Sequence, residues 1–270
     1  MGREFYEACK DAKELLECAS DECKINFKHL LFEENEDLNK SEFTQPAIVL
    51  ASLMSYLFIK QESGLKAEFA LGHSLGEFSA LAAQGGFELV KVLELVNFRG
   101  KFMQEDCAQV PAGMMVVLGL DDSVVENICK DAQSKGKQIY AANYNCDGQI
   151  VVAGLKPDLS EFEALFKERG AKRAMLLNMS VASHCPLLKN ASSRLGELLE
   201  SALNENFAPV ISNVSAKPYT SKSEALNLLK EQLIKPVLYK QSITNSQDSV
   251  DCFVEFGASV LAGLNKKITP

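Results

Sequence analysis

Phe69-Ala70-Leu71-Gly72-His73-Ser74-Leu75-Gly76-Glu77-Phe78-Ser79-Ala80-Leu81 decides how this chain is read. An apolar run leads in, Gly72 tightens it, and a helical pattern leads out. The spacing Gly72-x-Ser74-x-Gly76 is that of a nucleophile elbow, a sharp strand-to-helix turn that exposes one hydroxyl. Side chains two before and two after the serine are expected to collide across so tight a bend, and glycine tolerates the strained angles. The helix after the turn aims its first N–H groups at the place where an oxyanion would form beside Ser74. A strand-turn-helix corner that merely contains a serine is the plainer alternative.

The whole chain has 270 residues, 47% hydrophobic and 24% charged, enough for one large or two smaller cores. The net charge is −8 and no block of basic residues stands out, which argues against a nucleic-acid partner. Eight cysteines stand at 9, 18, 23, 107, 129, 146, 185 and 252. No two form a C-x-x-C pair, so no metal site is expected. Without a recognisable signal peptide, reduced thiols and a cytoplasmic location are expected. The longest apolar run, Pro46 to Ile59, is interrupted by Ser52 and Ser55 and is expected to be too short to span a bilayer.

In chain order the periodicity predicts helices from Met1 to about Ala19, Ile25 to Phe32, Thr44 to Lys60 with Pro46 in its first turn, Leu89 to Asp106, Leu187 to Leu203, Glu224 to Ile234, and from Ser259. Pro111-Ala112-Gly113 marks a boundary, after which the order becomes β-α-β-β-α-β with a hairpin at Asp147-Gly148. That order is the ferredoxin-like unit. Residues 112–178 are therefore expected to form a small domain inserted into a large catalytic α/β domain of residues 1–111 and 179–270. The large domain is expected to carry a parallel, α/β-hydrolase-like sheet. Only three of its strands are legible: before Ser74, at Pro209–Asn213 and at Cys252–Phe256. Three strands are few for so many helices, and the place with no strand is the beginning.

A serine nucleophile needs a base. Of the three histidines, His73 is expected to point away across the elbow and His29 to lie on a polar helix face. His184 remains, on a loop at the domain junction, with a satisfied loop histidine as its plainer reading. Cys185 has no cysteine-hydrolase surroundings and is expected to pack. Arg99 falls on the inner face of its helix, in line with Leu89, Val92, Val96 and Met103. A buried guanidinium needs a partner: either a structural Asp or Glu, or a ligand carboxylate that it grips bidentately. In ordinary α/β-hydrolases the histidine comes late in the chain. Here a strand-bearing stretch comes after His184, which favours a serine–histidine pair on a different doubly wound scaffold.

Gly72-His73-Ser74-Leu75-Gly76-Glu77-Phe78-Ser79-Ala80-Leu81 resembles the signature of the malonyl-CoA:acyl-carrier-protein transacylases of bacterial fatty acid synthesis. Phe43-Thr44-Gln45-Pro46-Ala47, Arg99-Gly100-Lys101-Phe102-Met103-Gln104-Glu105, Asn143-Tyr144-Asn145 with Gly148-Gln149-Ile150-Val151, and Ser183-His184-Cys185 resemble that family in order and spacing, over nearly the whole chain. The resemblance implies ping-pong acyl transfer with Ser74 as nucleophile, His184 as base, the Leu75 N–H as oxyanion donor and Arg99 holding the malonyl carboxylate. It implies malonyl-CoA and acyl carrier protein as substrate and partner, and no cofactor. The chain is expected to work as a monomer. In the family a backbone carbonyl orients the histidine, and the glutamine usual near that point is expected to be replaced here by Leu238.

Three departures are visible. Family members begin with a strand and a Phe-Pro-Gly-Gln-Gly-Ser-Gln loop that supplies the second oxyanion N–H, and Met1-Gly2-Arg3-Glu4 resembles the segment just past that loop. Glu255-Phe256-Gly257-Ala258-Ser259-Val260 lacks the usual Gly-Pro-Gly, and the chain ends at Pro270, earlier than most relatives. The expectation is a poor enzyme for want of the second donor. A serine esterase or thioesterase is the second enzyme reading, and a non-catalytic carrier-protein-binding remnant the reading from another class. Arg99 discriminates the first, because an esterase needs no buried cation. Leu75 and Arg99 point to malonyl, whereas Val181-Ala182-Ser183-His184 is reminiscent of methylmalonyl-selecting polyketide modules. Lys101, Lys172, Arg173 and Lys189 are candidates for meeting the acidic carrier.

Overall fold

The computed structural model describes residues 1–64, 66–179 and 181–269. It is an α/β protein with a helical body around the elbow and an antiparallel sheet set against it. The periodicity predicts one helix from Met1, but two form: α1 (Arg3–Ala8) and α2 (Lys10–Cys23). They part at Cys9, whose backbone is extended (φ −122°, ψ 120°) and whose side chain is buried. Ala12, Leu15, Leu16 and Ala19 carry the buried face of α2. The Asn26 carboxamide accepts from the His29 N–H (3.1 Å) and caps α3 (Phe27–Phe32).

α4 (Ser41–Ser63) runs for 23 residues, longer than the apolar run at its centre. Contrary to the expectation that this run is too short for a bilayer, α4 is long and apolar enough to cross one. Here it is packed in protein: Val49, Leu50, Leu53 and Met54 are all within 1% of full burial. Pro46 sits inside the helix rather than in its first turn. Having no N–H, it leaves the Glu42 carbonyl without its helical partner, and the Asn97 side chain donates to that carbonyl instead (2.6 Å). Asn97 belongs to α6 (Leu89–Ala108), which lies so close that a Cβ on Gly100 would stand 2.3 Å from the Ser41 carbonyl oxygen. Between them in the chain comes α5 (Leu75–Ala83), the helix that leaves the elbow.

β1 (Ala112–Leu118), α7 (Asp122–Ser134), β2 (Ile139–Cys146), β3 (Gln149–Leu155), α8 (Lys156–Glu168) and β4 (Arg173–Leu176) come next, in the expected β-α-β-β-α-β order. The strands pair antiparallel in the order β2-β3-β1-β4. Alternation divides the sheet cleanly. Met115, Val117, Ile150 and Val152 face α7 and α8 in a core of their own, whereas Met114, Val151 and Ala153 join the core of the helical body. Both faces are covered, so these strands read as continuous apolar runs.

After β4 come α9 (Lys189–Ala202), β5 (Asn206–Ile211), β6 (Pro218–Ser221), α10 (Lys222–Ile234), α11 (Tyr239–Ser246) and α12 (Leu261–Ile268). β5 and β6 form an antiparallel pair, and β5 is bridged in parallel to Ala70. In that bridge the Ala70 N–H donates to the Pro209 carbonyl (3.0 Å) and the Ile211 N–H to the Ala70 carbonyl (2.9 Å). Of the three strands expected for a parallel sheet, the one before Ser74 is thus a single bridge and the one at Val210 is β5. Cys252–Phe256 forms no strand, and Val254 is 52% exposed. Strand character requires a hydrogen-bonding neighbour, and this segment is held by side chains instead, with the Phe253 ring 6.2 Å from that of Phe69.

Candidate active site

Ser74 has φ 52° and ψ −105°, a conformation that non-glycine residues rarely adopt. Such strain persists only where the surroundings over-determine it. Asn213, just past β5, does so here. Its side-chain oxygen accepts from the Ser74 N–H (2.6 Å) and its amide donates to the Gly72 carbonyl (2.6 Å). A Cβ on Gly72 would lie 2.1 Å from the Gly76 backbone, so that glycine is required by contact across the turn. A Cβ on Gly76 would meet nothing within 4 Å, so the collision expected of both glycines applies to Gly72 alone.

The strained turn points the Ser74 hydroxyl at His184. The Oγ lies 2.8 Å from His184 Nε2, and His184 Nδ1 lies 2.6 Å from the Gln232 carbonyl oxygen. A carbonyl can only accept, so Nδ1 carries the proton and Nε2 offers its lone pair to the serine. His184 is buried, also at positive φ (60°). Burial drives its imidazole down to about 3. The Gln232 carbonyl opposes that shift, and the nearby Arg99 charge adds to it. The ring is neutral at physiological pH, the state a general base requires.

Arg99 is 2% exposed and reaches the same serine. Its Nη2 donates to Ser74 Oγ (3.1 Å) and to Gln232 Oε1 (3.3 Å), and its Nη1 to Gln45 Oε1 (2.8 Å). Its guanidinium carbon stands 5.3 Å from the centre of the Phe78 ring, and Nε has no partner among the described residues. Burial pulls the guanidinium down to about 10, and the Glu77 charge works against that. Among the described residues no carboxylate pairs with it directly. Leu75 opens α5, and its N–H makes no hydrogen bond among the described residues.

A family model described as "acyl transferase domain" matches residues 1–262. The chain belongs to the acyl transferase domain family. It is 38% identical to the malonyl CoA-acyl carrier protein transacylase of Bacillus subtilis over 99% of this chain and 86% of that one. The crystal structure of the Helicobacter pylori malonyl-CoA:acyl carrier protein transacylase superposes with a TM-score of 0.94 at 46% identity, covering 99% of this chain and 86% of that one. A type II polyketide malonyl-transacylase in complex with its acyl-carrier protein superposes equally well (TM-score 0.94, 32% identity, 100% of this chain and 88% of that one).

In this acyl transferase domain the other histidines lie where the sequence leaves them. His73 points away from Ser74, its Nε2 2.8 Å from Asn145 Oδ1 of β2, and His29 pairs with Glu33 on the surface (2.8 Å). Cys185 is buried and its thiol is pushed up to about 12, which leaves it unreactive. Lys101, Lys172, Arg173 and Lys189 are all exposed. The expectation about the histidine's carbonyl partner is corrected. Leu238 packs against the sheet core, and the carbonyl belongs to Gln232, a glutamine inside α10 with no exposed surface. Asn213, Gln232, Gln45 and Glu77 are the residues that sequence alone misses. Each is a polar residue whose burial shows only once the chain has folded.

Proposed function

We propose that this chain transfers a malonyl group from malonyl-CoA to the phosphopantetheine thiol of acyl carrier protein through malonyl-Ser74, supplying extender units for fatty acid synthesis. One observation carries the reading: a serine hydroxyl shared by a neutral histidine and a buried arginine whose hydrogen-bond partners among the described residues are all uncharged. An esterase has no use for that cation, whereas an acyl group ending in a carboxylate does.

His184 Nε2 takes the Ser74 proton as Oγ bonds to the thioester carbon. The oxyanion rests on the Leu75 N–H at the start of α5. Collapse breaks the C–S bond, and His184 returns its proton to the departing CoA sulfur. The malonyl carboxylate lies against the Arg99 guanidinium. The carrier thiol then gives its proton to His184, its sulfur bonds to the carbonyl carbon, and the Ser74 C–O bond breaks as Oγ regains a proton. Serine and histidine supply the whole of this chemistry, so we infer no cofactor, and we place the reaction in the cytoplasm. We read residues 112–178 as a ferredoxin-like insert, supported by the β2-β3-β1-β4 order, and residues 1–111 and 179–270 as the catalytic domain on an α/β-hydrolase-like sheet. Incubation with labelled malonyl-CoA should place the label on Ser74, and holo carrier protein should remove it. A label that passes to water at the same rate with and without carrier would make this chain a thioesterase instead.

A further inference from the structure

Glu77 lies three residues past the nucleophile with no exposed surface, and none of the acyl-transfer steps uses it. Its carboxylate accepts three hydrogen bonds. The Tyr219 hydroxyl donates to Oε1 (2.9 Å), and the Gln232 side-chain amide (2.6 Å) and the Asn213 N–H (3.2 Å) donate to Oε2. Two of these donors belong to the residues that shape the site. Asn213 caps the Ser74 turn. Gln232 holds His184 with its backbone carbonyl, donates to the Ser74 carbonyl with Nε2 (3.0 Å), and accepts from Arg99 with Oε1.

A carboxylate–amide–guanidinium relay therefore runs from Glu77 through Gln232 to Arg99. A buried primary amide can face either way around, and its orientation is set by its partners. An ionised carboxylate only accepts, so it draws the Gln232 NH₂ toward itself and turns Oε1 toward Arg99. It also supplies a negative charge near the guanidinium without occupying the place of a substrate carboxylate.

We propose that Glu77 is a positioning residue for acyl transfer: acting through Gln232 and Asn213, its carboxylate holds Arg99, His184 and the Ser74 turn in the reactive arrangement. This rests on the reading of Ser74 as the acylated residue. Burial pushes the Glu77 carboxyl up to about 7. The bonds from Gln232, Tyr219 and Asn213, and the Arg99 charge, pull against it. The charged and titratable groups facing it are Arg99 of α6 and Tyr219 of β6; α10 and Asn213 present amides. His184, driven down to about 3, does not titrate near neutrality. A loss of rate on acidification through about pH 7 is the signature expected of Glu77.

Single-turnover acylation of Ser74 by malonyl-CoA, monitored by intact mass across this pH range, tests the proposal on the full chain and on Glu77→Gln and Tyr219→Phe. The wild type should slow as pH falls through about 7. Glu77→Gln should be about tenfold slower above that pH, because a neutral acceptor replaces a charge-assisted one, and should show no such limb. Tyr219→Phe removes a donor that pulls the carboxyl down and leaves Gln232 untouched, so its limb should move to higher pH. A wild-type limb that neither variant moves overturns the proposal, as does a slow Glu77→Gln that keeps the limb. Should Glu77→Gln not fold, the Tyr219→Phe limb decides alone. A wild type that acylates nothing at any pH overturns the functional reading and this one with it.

Discussion

Arg99 Nη2 donates to Ser74 Oγ across 3.1 Å, and its other hydrogen bonds among the described residues go to neutral amide oxygens. The buried guanidinium is thus met by neutral acceptors alone, and a carboxylate is the stronger partner. Arg99→Ala should therefore cost malonyl transfer at least tenfold, the worth of a desolvated charge-assisted pair of roughly 1.5–3 kcal/mol. Acetyl transfer should fall less than malonyl transfer, because both thioesters react at the Ser74 Oγ that Arg99 touches but only malonyl carries the distal carboxylate. The ratio of initial rates with the two thioesters decides it. An equal loss with both would make Arg99 a structural cation.

Ser74→Ala should abolish acylation while leaving the urea unfolding midpoint close to wild type. The strain lies in the backbone, and alanine adds nothing to it. His184→Ala should retain the nucleophile but slow acylation by about 10²–10⁴-fold, the usual contribution of a positioned general base. Near-normal transfer by that variant would leave the 2.8 Å contact without a catalytic role.

The two elbow glycines should behave differently. Gly72→Ala forces a Cβ to within 2.1 Å of the Gly76 backbone, which has no side-chain torsion to relieve it. It should destabilise by about 3 kcal/mol or more. Gly76→Ala enters open space at the start of α5 and should change stability by no more than about 1 kcal/mol, with helix propensity in its favour. Chemical denaturation of both variants makes the comparison, and equal losses would disprove it.

His184 and Glu77 should pull the pH dependence of stability in opposite directions. His184 sits at about 3 when folded against an ordinary 6.5, so unfolding takes up a proton between those values and stability is lost as pH falls through that window. Glu77 sits at about 7 against an ordinary 4.5, so unfolding releases a proton there and stability is lost as pH rises through its window. Relative to wild type, His184→Asn should lose the acid-side decline and Glu77→Gln the decline toward neutrality. Unfolding free energies measured across a pH series would show both, and parallel curves for all three proteins would rule this out.

Much of the fold was legible because it depends on local order. The β-α-β-β-α-β succession and the hairpin at Asp147-Gly148 are set by alternation and turn chemistry. The elbow was legible from the Gly72-x-Ser74-x-Gly76 spacing, although the tight bend requires glycine only at Gly72. The break at Cys9, whose thiol reaches Gln61 52 residues on (3.5 Å), and the passage of α4 through Pro46 did not show, because each depends on contacts distant in sequence. Asn97 takes the carbonyl that Pro46 leaves free, 55 residues from Glu42. Cys252–Phe256 has the composition of a strand, but composition does not supply a hydrogen-bonding neighbour.

By itself, the sequence singled out the residues that the proposed chemistry uses: Ser74 by its turn, His184 by elimination among three histidines, and Arg99 by its place on an apolar helix face. Only the tertiary structure decided what holds them. Asn213, Gln232 and Glu77 reach Ser74, His184 and Arg99 from β5's end, α10 and α5, across separations such as the 139 residues between Asn213 and Ser74. A reacting group must be of one particular chemical type, and so it leaves a mark in the sequence. The group that positions it need only be a donor or acceptor at the right distance, and that distance exists only once the chain has folded.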